Sequence, residues 1–152
     1  MKKLSLPVFD INIKESEGKN VIFDIIRKKY IVLTPEEWVR QHFVHYLIDH
    51  LGYSKGLIGV EKGMKYNSLQ KRTDIIVYDR NGAPLLLVEC KEPNHDLNQK
   101  VMEQAMMYNK TLSAPYIVVS NGIEHSCMRL DPATRKVEFL NNIPRFEEII
   151  NS

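Results

Sequence analysis

The feature of this sequence that most constrains its fold is a pair of strand-like segments joined by a short turn. Residues 72–78 and 84–91 are rich in β-branched and aliphatic side chains, and Asp79-Arg80-Asn81-Gly82 lies between them. Asn-Gly is the residue pair preferred in two-residue hairpin loops. The sequence therefore predicts an antiparallel hairpin whose loop residues are Asn81 and Gly82.

A hairpin with this loop has a defined register, which places polar residues together at one end. Asp74 falls opposite Glu89, and Arg72 falls opposite Lys91. Strand positions two apart share a face, so all four side chains point to the same side of the sheet. The remaining positions on both faces are mostly apolar, and we therefore expect the hairpin to be buried on both sides.

The two carboxylates in this cluster need a compensating charge. Carboxylates directly opposite each other on a sheet repel, and burying an isolated ion is costly or shifts its pKa. A divalent cation satisfies both constraints, since two carboxylates, a main-chain carbonyl and waters suit Mg²⁺. The alternative is an ion-pair network, with Arg72 on Glu89 and Asp74 on Lys91. The residues alone leave both interpretations open.

The segments around the hairpin predict helices packed on a mixed sheet. Thr34, Pro35 and Glu37 have the spacing of a capping box at a helix start, and Gly52 marks the helix end. An apolar stripe predicts a second helix over residues 97–112. That helix links the hairpin to a strand at 116–120, and such a crossover is right-handed with parallel strands. Further expected elements are strands at 8–13, 21–26, 29–33, 57–66, 124–130 and 136–140 and a helix at 145–150.

Composition narrows the class of protein. The chain has 152 residues, 43% of them hydrophobic, and a formal net charge of +2. These values are typical of one globular domain spanning residues 1–152 and exclude a strongly basic chain that coats nucleic acid. No apolar run reaches the roughly 18 residues that a membrane-spanning helix needs. Two cysteines without a CxxC spacing argue against a disulfide framework or a zinc finger, which favours a cytoplasmic location.

The hairpin residues resemble the PD-(D/E)xK nuclease motif, with Asp74 on one strand and Glu89-Cys90-Lys91 on the next. The wider context resembles the N-terminal endonuclease domain of type I restriction enzyme R subunits. Five ordered segments carry this resemblance and are more specific together than the motif alone: residues 34–41, 71–78, 82–91, the Gln-xxx-Tyr segment 104–108 and the segment 120–122. The resemblance covers most of the chain. It implies a restriction-endonuclease-like α/β fold, a mixed central sheet flanked by helices with an α-β-β-β-α-β core.

The resemblance implies a metal site on the hairpin. Asp74 and Glu89 would ligate Mg²⁺, with the Cys90 carbonyl as a further ligand and Mn²⁺ as a substitute metal. Lys91 would orient or activate the attacking water, and the metal would neutralise charge on the scissile phosphate. The implied reaction is hydrolysis of a DNA phosphodiester bond.

The resemblance also implies contributions from both helices, although each of these residues has a structural alternative. Gln104 and Tyr108 would face the site from the second helix, one turn apart. Tyr108 also falls on the apolar stripe of that helix, and Gln104 lies off the stripe, where a solvated position is the alternative. Glu37 is the first-helix carboxylate that we select for the site, and the capping box is its alternative role.

Four basic residues cluster just ahead of Asp74 and are candidates for nucleic-acid contacts. They are Lys62, Lys65, Lys71 and Arg72. Cations at these positions could contact DNA phosphates. A strand edge protected by lysines is the alternative and carries equal weight.

Two functions of different classes follow from these residues, together with a structural alternative. The first is a Mg²⁺-dependent DNA endonuclease. The second is a catalytically silent module of the same fold that binds nucleic acid or protein partners, and the structural alternative is an ion-pair network without a site. The chain ends at Ser152 without a P-loop motif, so we expect that it is not by itself an ATP-driven restriction subunit. It is then either a stand-alone nuclease or a nuclease module that works with restriction or helicase partner subunits. A homodimer would allow one site per chain to cut both strands.

Overall fold

The computed structural model describes residues 1–62 and 73–150, with 61, 62, 73 and 74 described by their backbone only. Its helices and strands are, in chain order, β1 (Ile13–Ser16), β2 (Lys19–Asp24), β3 (Lys29–Val32), α1 (Pro35–Asp49), β4 (Ile58–Lys62), β5 (Thr73–Tyr78), β6 (Pro84–Cys90), α2 (Gln99–Leu112), β7 (Tyr116–Ser120), β8 (His125–Leu130), β9 (Val137–Leu140) and α3 (Phe146–Ile150). A short 3-10 turn, Lys55–Leu57, precedes β4. The elements from α1 to β7 form the predicted α-β-β-β-α-β core.

The central feature of the fold is a mixed sheet of six strands in the order β4-β5-β6-β7-β8-β9. Strands β6 and β7 run parallel and are joined by α2, whereas the other neighbours pair antiparallel. The predicted mixed sheet and the parallel crossover through the second helix are therefore confirmed. None of the described helices is long and apolar enough to cross a membrane.

The N-terminal strands form a second, antiparallel sheet in the order β1-β2-β3. The strand predicted at 8–13 is wrong, because the first strand is Ile13–Ser16. Its position is set by a tight turn at Glu17 and Gly18, whose φ angles are 52° and 78°. Positive φ at both central residues matches the twist that a two-residue hairpin loop requires. The Cα pairing starts at this turn and ends with Ile13 opposite Ile22, and one further hydrogen bond joins Phe23 N to the Asn12 carbonyl at 2.9 Å.

The β5–β6 hairpin turns differently from the predicted two-residue loop. Gly82 N donates to the Asp79 carbonyl at 3.0 Å, and Asp79 N donates to the Ala83 carbonyl at 2.8 Å, so the loop has three residues. Of the two predicted loop residues only Gly82 has a positive φ, 83°, whereas the predicted turn favours two. The Asp79 side chain stabilises the observed turn, since its Oδ1 accepts hydrogen bonds from Asn81 N at 2.8 Å and Ala83 N at 2.9 Å.

A β-bulge compensates for the longer loop. The ladder shifts between Val77 and Tyr78, which leaves Leu85 as an extra residue on β6. Beyond this bulge the Cα of Asp74 lies opposite the Cα of Glu89. The predicted register is therefore confirmed at the polar end of the hairpin, although the turn that produces it is different.

The predicted signals at both ends of the first helix are present in α1. Thr34 Oγ1 accepts a hydrogen bond from Glu37 N at 3.1 Å, which satisfies one of the free N–H groups at the helix start. After the helix, Gly52 has a φ of 80°, and Tyr53 N donates to the Leu47 carbonyl at 3.0 Å. This arrangement satisfies a terminal helix carbonyl and turns the chain toward β4.

Helices α1 and α2 pack on opposite faces of the six-stranded sheet. The core on the α1 face includes Val39, Phe43, Val44, Leu47, Ile75, Val77, Leu86 and Val88. The core on the α2 face includes Val101, Ala105, Tyr108, Ile76, Leu87, Ile117 and Val119. Successive residues of β5 and β6 thus enter different cores, and the hairpin is buried on both sides, as predicted. Each aliphatic side chain buried in this way contributes about 1.5–3 kcal/mol.

We expect Gly82→Ala to lower the free energy of unfolding by about 1 kcal/mol, because the new Cβ is strained in the left-handed conformation. Apart from the adjoining residues, no described atom lies within 4 Å of that Cβ position, so backbone strain alone sets the cost. Gly82→Asn should lose less, since asparagine tolerates positive φ. Urea denaturation measures the difference, and an unchanged midpoint for Gly82→Ala would contradict the observed turn.

Candidate active site

Glu89 lies near the carboxyl end of β6 and is buried. The exposed fraction of its side chain and backbone is 2%, although carboxylates are rarely buried unless they are paired. Glu89 follows Leu87 by two residues, and Leu87 packs against α2, so Glu89 points to the α2 face of the sheet. An ionised carboxylate in this position needs a positive charge nearby.

Lys91 supplies one such charge. Its Nζ lies 3.8 Å from Glu89 Oε1, and its side chain is 23% exposed. Lys91 N donates to the Ser120 carbonyl at 2.8 Å, which extends the parallel pairing one residue beyond β6. Lys91 therefore continues the face that carries Glu89 and lies at the rim of the site, where sequence reasoning places it.

Asp74 is aligned with Glu89 and also with an acidic residue outside the predicted set. The Cα register pairs Glu61 on β4 with Asp74 on β5, and Asp74 with Glu89 on β6. Three acidic positions thus lie side by side on strands about 4.8 Å apart. These three positions form an acidic row, and like charges in adjacent register are unfavourable. The charge-rich sequence of β4 is a signal for Glu61, but only the β4–β5 pairing reveals its register.

Cys90 directs its side chain away from the acidic row. It is 3% exposed and packs in the core on the α1 face, as alternation after Glu89 requires. The group of Cys90 that is predicted to bind metal is its main-chain carbonyl, not this thiol. Among the residues whose side chains the structure describes, no three His, Cys, Asp or Glu side chains converge on a metal position. Asp74 and Glu61 lie outside that set.

The two predicted site residues of α2 occupy different environments. Tyr108 is 5% exposed and belongs to the core between α2 and the sheet. Gln104 is exposed, and its side chain forms no hydrogen bond within the described part of the chain. The packing of Tyr108 and the surface position of Gln104 are therefore observed, while their participation in chemistry stays a prediction.

Glu37 lies on the helix that covers the opposite face of the sheet from Glu89, and it binds Arg40. Arg40 Nε donates to Glu37 Oε2 at 2.8 Å, and the same guanidinium binds Asp24 at the end of β2. A complete capping box requires the Glu37 carboxylate to accept a hydrogen bond from the main-chain N of Thr34. In the structure this carboxylate bonds to Arg40 instead. The participation of Glu37 in chemistry at Glu89 stays a prediction.

The network of Asp24, Arg40 and Glu37 is a buried ionic connection between the N-terminal sheet and α1. Asp24 and Arg40 are 0% exposed. Burial raises the pKa of Asp24, but the charge of Arg40 and hydrogen bonds from Arg27 N, Arg40 and Ile26 N outweigh it and hold the pKa below its usual value. Burial lowers the pKa of Arg40, and the two carboxylates reverse this effect. Each charge in the network therefore depends on the others.

The four predicted nucleic-acid contacts fall at or beyond the limit of the described residues. Lys62 ends β4 and is described by its backbone only. Lys65, Lys71 and Arg72 lie outside the described residues. The role of these four residues in DNA binding stays a prediction.

The loop that follows Lys91 is held by an asparagine at the end of β7. Asn121 Nδ2 donates to the His95 carbonyl at 2.8 Å. Its Oδ1 accepts hydrogen bonds from Ile123 N at 2.9 Å and Glu124 N at 2.7 Å. The Asn-Gly pair in the sequence signals this turn, but the contact with the loop at residue 95 joins segments that are distant in sequence.

The N-terminal segment lies beside the turn that follows β7, and the sequence does not predict this position. Ser5 N donates to the Gly122 carbonyl at 2.9 Å. Lys2 Nζ lies 3.4 Å from Asn94 Oδ1, on the loop that follows Lys91. Lys2 therefore contacts the loop that follows Lys91.

Comparison with known proteins identifies one matching family and one curated relative. The family model described as "Type I restriction enzyme R protein N terminus" matches residues 35–144, a range that includes Asp74, Glu89 and Lys91. The type I restriction enzyme EcoAI endonuclease subunit of Escherichia coli is 35% identical over 52 residues. These residues are 34% of this chain and 6% of that protein.

A solved structure has a similar fold. It is the fragment structure of a putative HsdR subunit of a type I restriction enzyme from Vibrio vulnificus YJ016, with a TM-score of 0.52. The identity is 19%, and the similarity covers 78% of this chain and 25% of that chain. At this identity the similarity concerns the fold, and it supports the predicted restriction-endonuclease-like architecture. The chain spans only a small part of both relatives.

We expect Asp24→Asn to lower the free energy of unfolding by about 3 kcal/mol, because it leaves the buried Arg40 guanidinium with one carboxylate instead of two. Asp96→Asn, at an exposed position outside the network, is the matched control and should change stability by about 0.5 kcal/mol or less. Urea denaturation followed by circular dichroism measures both variants. Equal effects of the two substitutions would show that the network does not stabilise the fold.

The stability that this network provides should decrease at low pH. The pKa of Asp24 is lowered in the folded protein from a value of 3.8. Its contribution to stability is therefore present above that value and is lost as the pH falls through the lower folded-state pKa. The stability difference between wild type and Asp24→Asn should be large at neutral pH and should shrink as the pH falls below 3.8. A difference that stays constant over this range would contradict the lowered pKa.

Proposed function

The chain belongs to the family of type I restriction enzyme R protein N termini, and from this membership we propose that it hydrolyses DNA phosphodiester bonds as a metal-dependent endonuclease. The curated relative is the endonuclease subunit of a type I restriction enzyme. The proposal extends this activity to the present chain through the residues at the end of its β5–β6 hairpin.

The observation that carries the proposal is the buried carboxylate of Glu89 beside Lys91. Glu89 is 2% exposed, Lys91 Nζ lies 3.8 Å from it, and Asp74 is opposite Glu89 in the register. A fold gains no stability from acidic residues in adjacent register. Such an arrangement is typical of a site that binds a cation or stabilises charge during a reaction.

The donor set at this position fits Mg²⁺. Carboxylate oxygens of Asp74 and Glu89 and the Cys90 carbonyl are the hard oxygen ligands that Mg²⁺ prefers, and Mn²⁺ accepts the same ligands. The burial of Glu89 supports the fit, because a bound cation offsets the cost of an ionised carboxylate at 2% exposure. When bound, the metal would lower the pKa of a water molecule and neutralise charge on the scissile phosphate.

Lys91 has a separate role in the proposal. Its side chain is 23% exposed, so its ammonium reaches both the buried carboxylate of Glu89 and the solvent at the rim. From this position it can orient a water molecule toward a phosphate or bind the phosphate itself. The ion pair with Glu89 limits the directions in which the flexible lysine side chain extends.

DNA is the proposed substrate, and the basic residues ahead of Asp74 are its proposed phosphate contacts. They are Lys62, Lys65, Lys71 and Arg72. Cations on the segment that leads into the site would hold the backbone of the nucleic acid near the acidic row. The curated relative is a subunit of a type I restriction enzyme, and we propose other restriction subunits as partners of this chain.

An ion-pair network is the competing interpretation, because the 3.8 Å contact between Lys91 Nζ and Glu89 Oε1 fits it as well. In that case the polar cluster has no affinity for metal. A catalytically silent module would bind metal and DNA without turnover. Metal affinity and turnover therefore separate the three interpretations.

We expect Glu89→Gln and Lys91→Met each to slow Mg²⁺-dependent nicking of supercoiled plasmid DNA by about 100-fold or more, since each removes a group that acts on the metal, the water or the phosphate. Lys100→Met, on an exposed lysine of α2, is the matched control and should nick at the wild-type rate. Gel quantification of the nicked form measures all four proteins. Equal rates for wild type and Lys91→Met would exclude the proposed role of Lys91.

Metal affinity provides a measurement that does not depend on turnover. In calorimetric titrations with Mg²⁺ or Mn²⁺, wild type and Lys91→Met should bind the ion, whereas Glu89→Gln and Asp74→Asn should not, because each lacks a charged ligand. The bound metal should also raise the melting temperature of wild type. Absence of binding by wild type would support the ion-pair network. Metal binding by wild type with nicking no faster than in Glu89→Gln would identify a silent module.

A further inference from the structure

β9 forms one outer edge of the six-stranded sheet, and half of its main-chain groups point outward. Among the described strands it pairs with β8 alone. Asp131 N donates to the Lys136 carbonyl at 3.0 Å, and hydrogen-bonded positions recur at every second residue of an antiparallel ladder. The Lys136 carbonyl and the main-chain groups of Glu138 therefore bond toward β8, and the N–H and C=O groups of Val137 and Phe139 face away from the sheet.

Two apolar side chains accompany these outward main-chain groups. Phe139 is 66% exposed and Val137 is 37% exposed. They are two residues apart and share one face of the strand. A strand edge that combines free main-chain groups with a large exposed apolar side chain is suited to pairing with another strand.

A cavity of about 540 Å³ lies beside β9 on this same face. Its polar lining includes Lys110, Asp131 and Arg135. The apolar part of its wall consists of Met106, Ala114, Pro115, Leu130, Pro132 and Val137. The exposed side of Val137 is therefore continuous with an apolar recess that can accept a side chain from outside.

The charges on β9 distinguish between the registers in which a second copy of this chain could pair with it. Pairing through the outward groups of Val137 and Phe139 around a two-fold axis places that axis at residue 137, 138 or 139. An axis at Glu138 sets this carboxylate against its own copy, which is unfavourable. An axis at Phe139 sets Glu138 against Leu140. An axis at Val137 sets Lys136 against Glu138 twice, which is favourable.

We propose that β9 is a homodimer interface, at which two copies pair antiparallel around Val137 and join their six-stranded sheets into one. Phe139 of each copy then lies across from Arg135 of the other, at the mouth of the cavity, where the ring contacts an apolar wall and a guanidinium. This pairing joins the outward main-chain groups of Val137 in both copies, covers the exposed ring and satisfies both charges of β9. Arg135 contributes its side chain only, because its φ is 57° and its N donates to the Asp131 carbonyl at 2.7 Å. This interface goes beyond the proposed nuclease activity and does not depend on it.

Charge reversal tests both the interface and its register. In sedimentation velocity over a concentration series, the wild-type chain should show a monomer–dimer equilibrium. Lys136→Glu and Glu138→Lys should each raise the dimer Kd by about tenfold or more, because each sets like charges against one another at two positions. An equimolar mixture of the two variants should recover the dimer, since each copy then carries the charge opposite to that of its partner. The double variant Lys136→Glu/Glu138→Lys should dimerise like wild type.

The control is Lys100→Glu, which reverses an exposed charge on α2 and should dimerise like wild type. Phe139→Ser removes the exposed ring without a change of charge and should also raise the dimer Kd, and circular dichroism verifies that each variant is folded. Wild type that stays monomeric at the highest concentration reached overturns the proposal. A dimer that neither charge reversal nor Phe139→Ser weakens overturns it as well, as does a β9 contact with another protein while wild type alone remains monomeric.

Discussion

The position of the candidate site depends on the register of the β5–β6 hairpin. Side chains alternate along both strands, and residues on both faces are fully buried, so a slip of one residue would exchange the two faces. Glu89 would then enter the apolar core beneath α1, and Cys90 would take its place next to α2. The apolar residues that fill the two cores therefore also fix the position of the carboxylate. Stability of the hairpin and geometry of the site arise from the same constraint.

The register of the β5–β6 hairpin can be predicted from the sequence even though the predicted turn is wrong. The predicted two-residue loop at Asn81 and Gly82 is wrong, yet the extra residue at Leu85 restores the pairing of Asp74 with Glu89. Burial on both faces selects the pairing, and the loop adapts to it. The start of α1 and the crossover to β7 are predictable as well, because capping residues and apolar stripes act between neighbours in sequence.

Contacts between distant segments account for what the sequence does not reveal. The spacing of Glu37 from Thr34 predicts a capping box, but the carboxylate binds Arg40, which also binds Asp24 from another sheet. A buried guanidinium has five N–H donors and a charge that must be balanced, so the two carboxylates bind Arg40 and Glu37 does not complete the helix cap. Glu61 joins the acidic row only through the pairing of β4 with β5. A local sequence pattern identifies residues that can cap a helix, form an ion pair or join the acidic row. The pairing of distant segments decides which of these roles a residue takes.

The net charge of +2 conceals an uneven distribution along the six-stranded sheet. The acidic row occupies β4, β5 and β6, whereas β9, three strands beyond β6, carries alternating Lys136 and Glu138 that cancel. An acidic row repels DNA until a cation neutralises it, because DNA itself is a dense line of negative charge. A metal bound in the proposed site would therefore govern both the affinity for DNA and the chemistry performed on it. Under the proposed function, the local charge at the end of the hairpin would decide whether nucleic acid is held, and the charge of the whole chain would not.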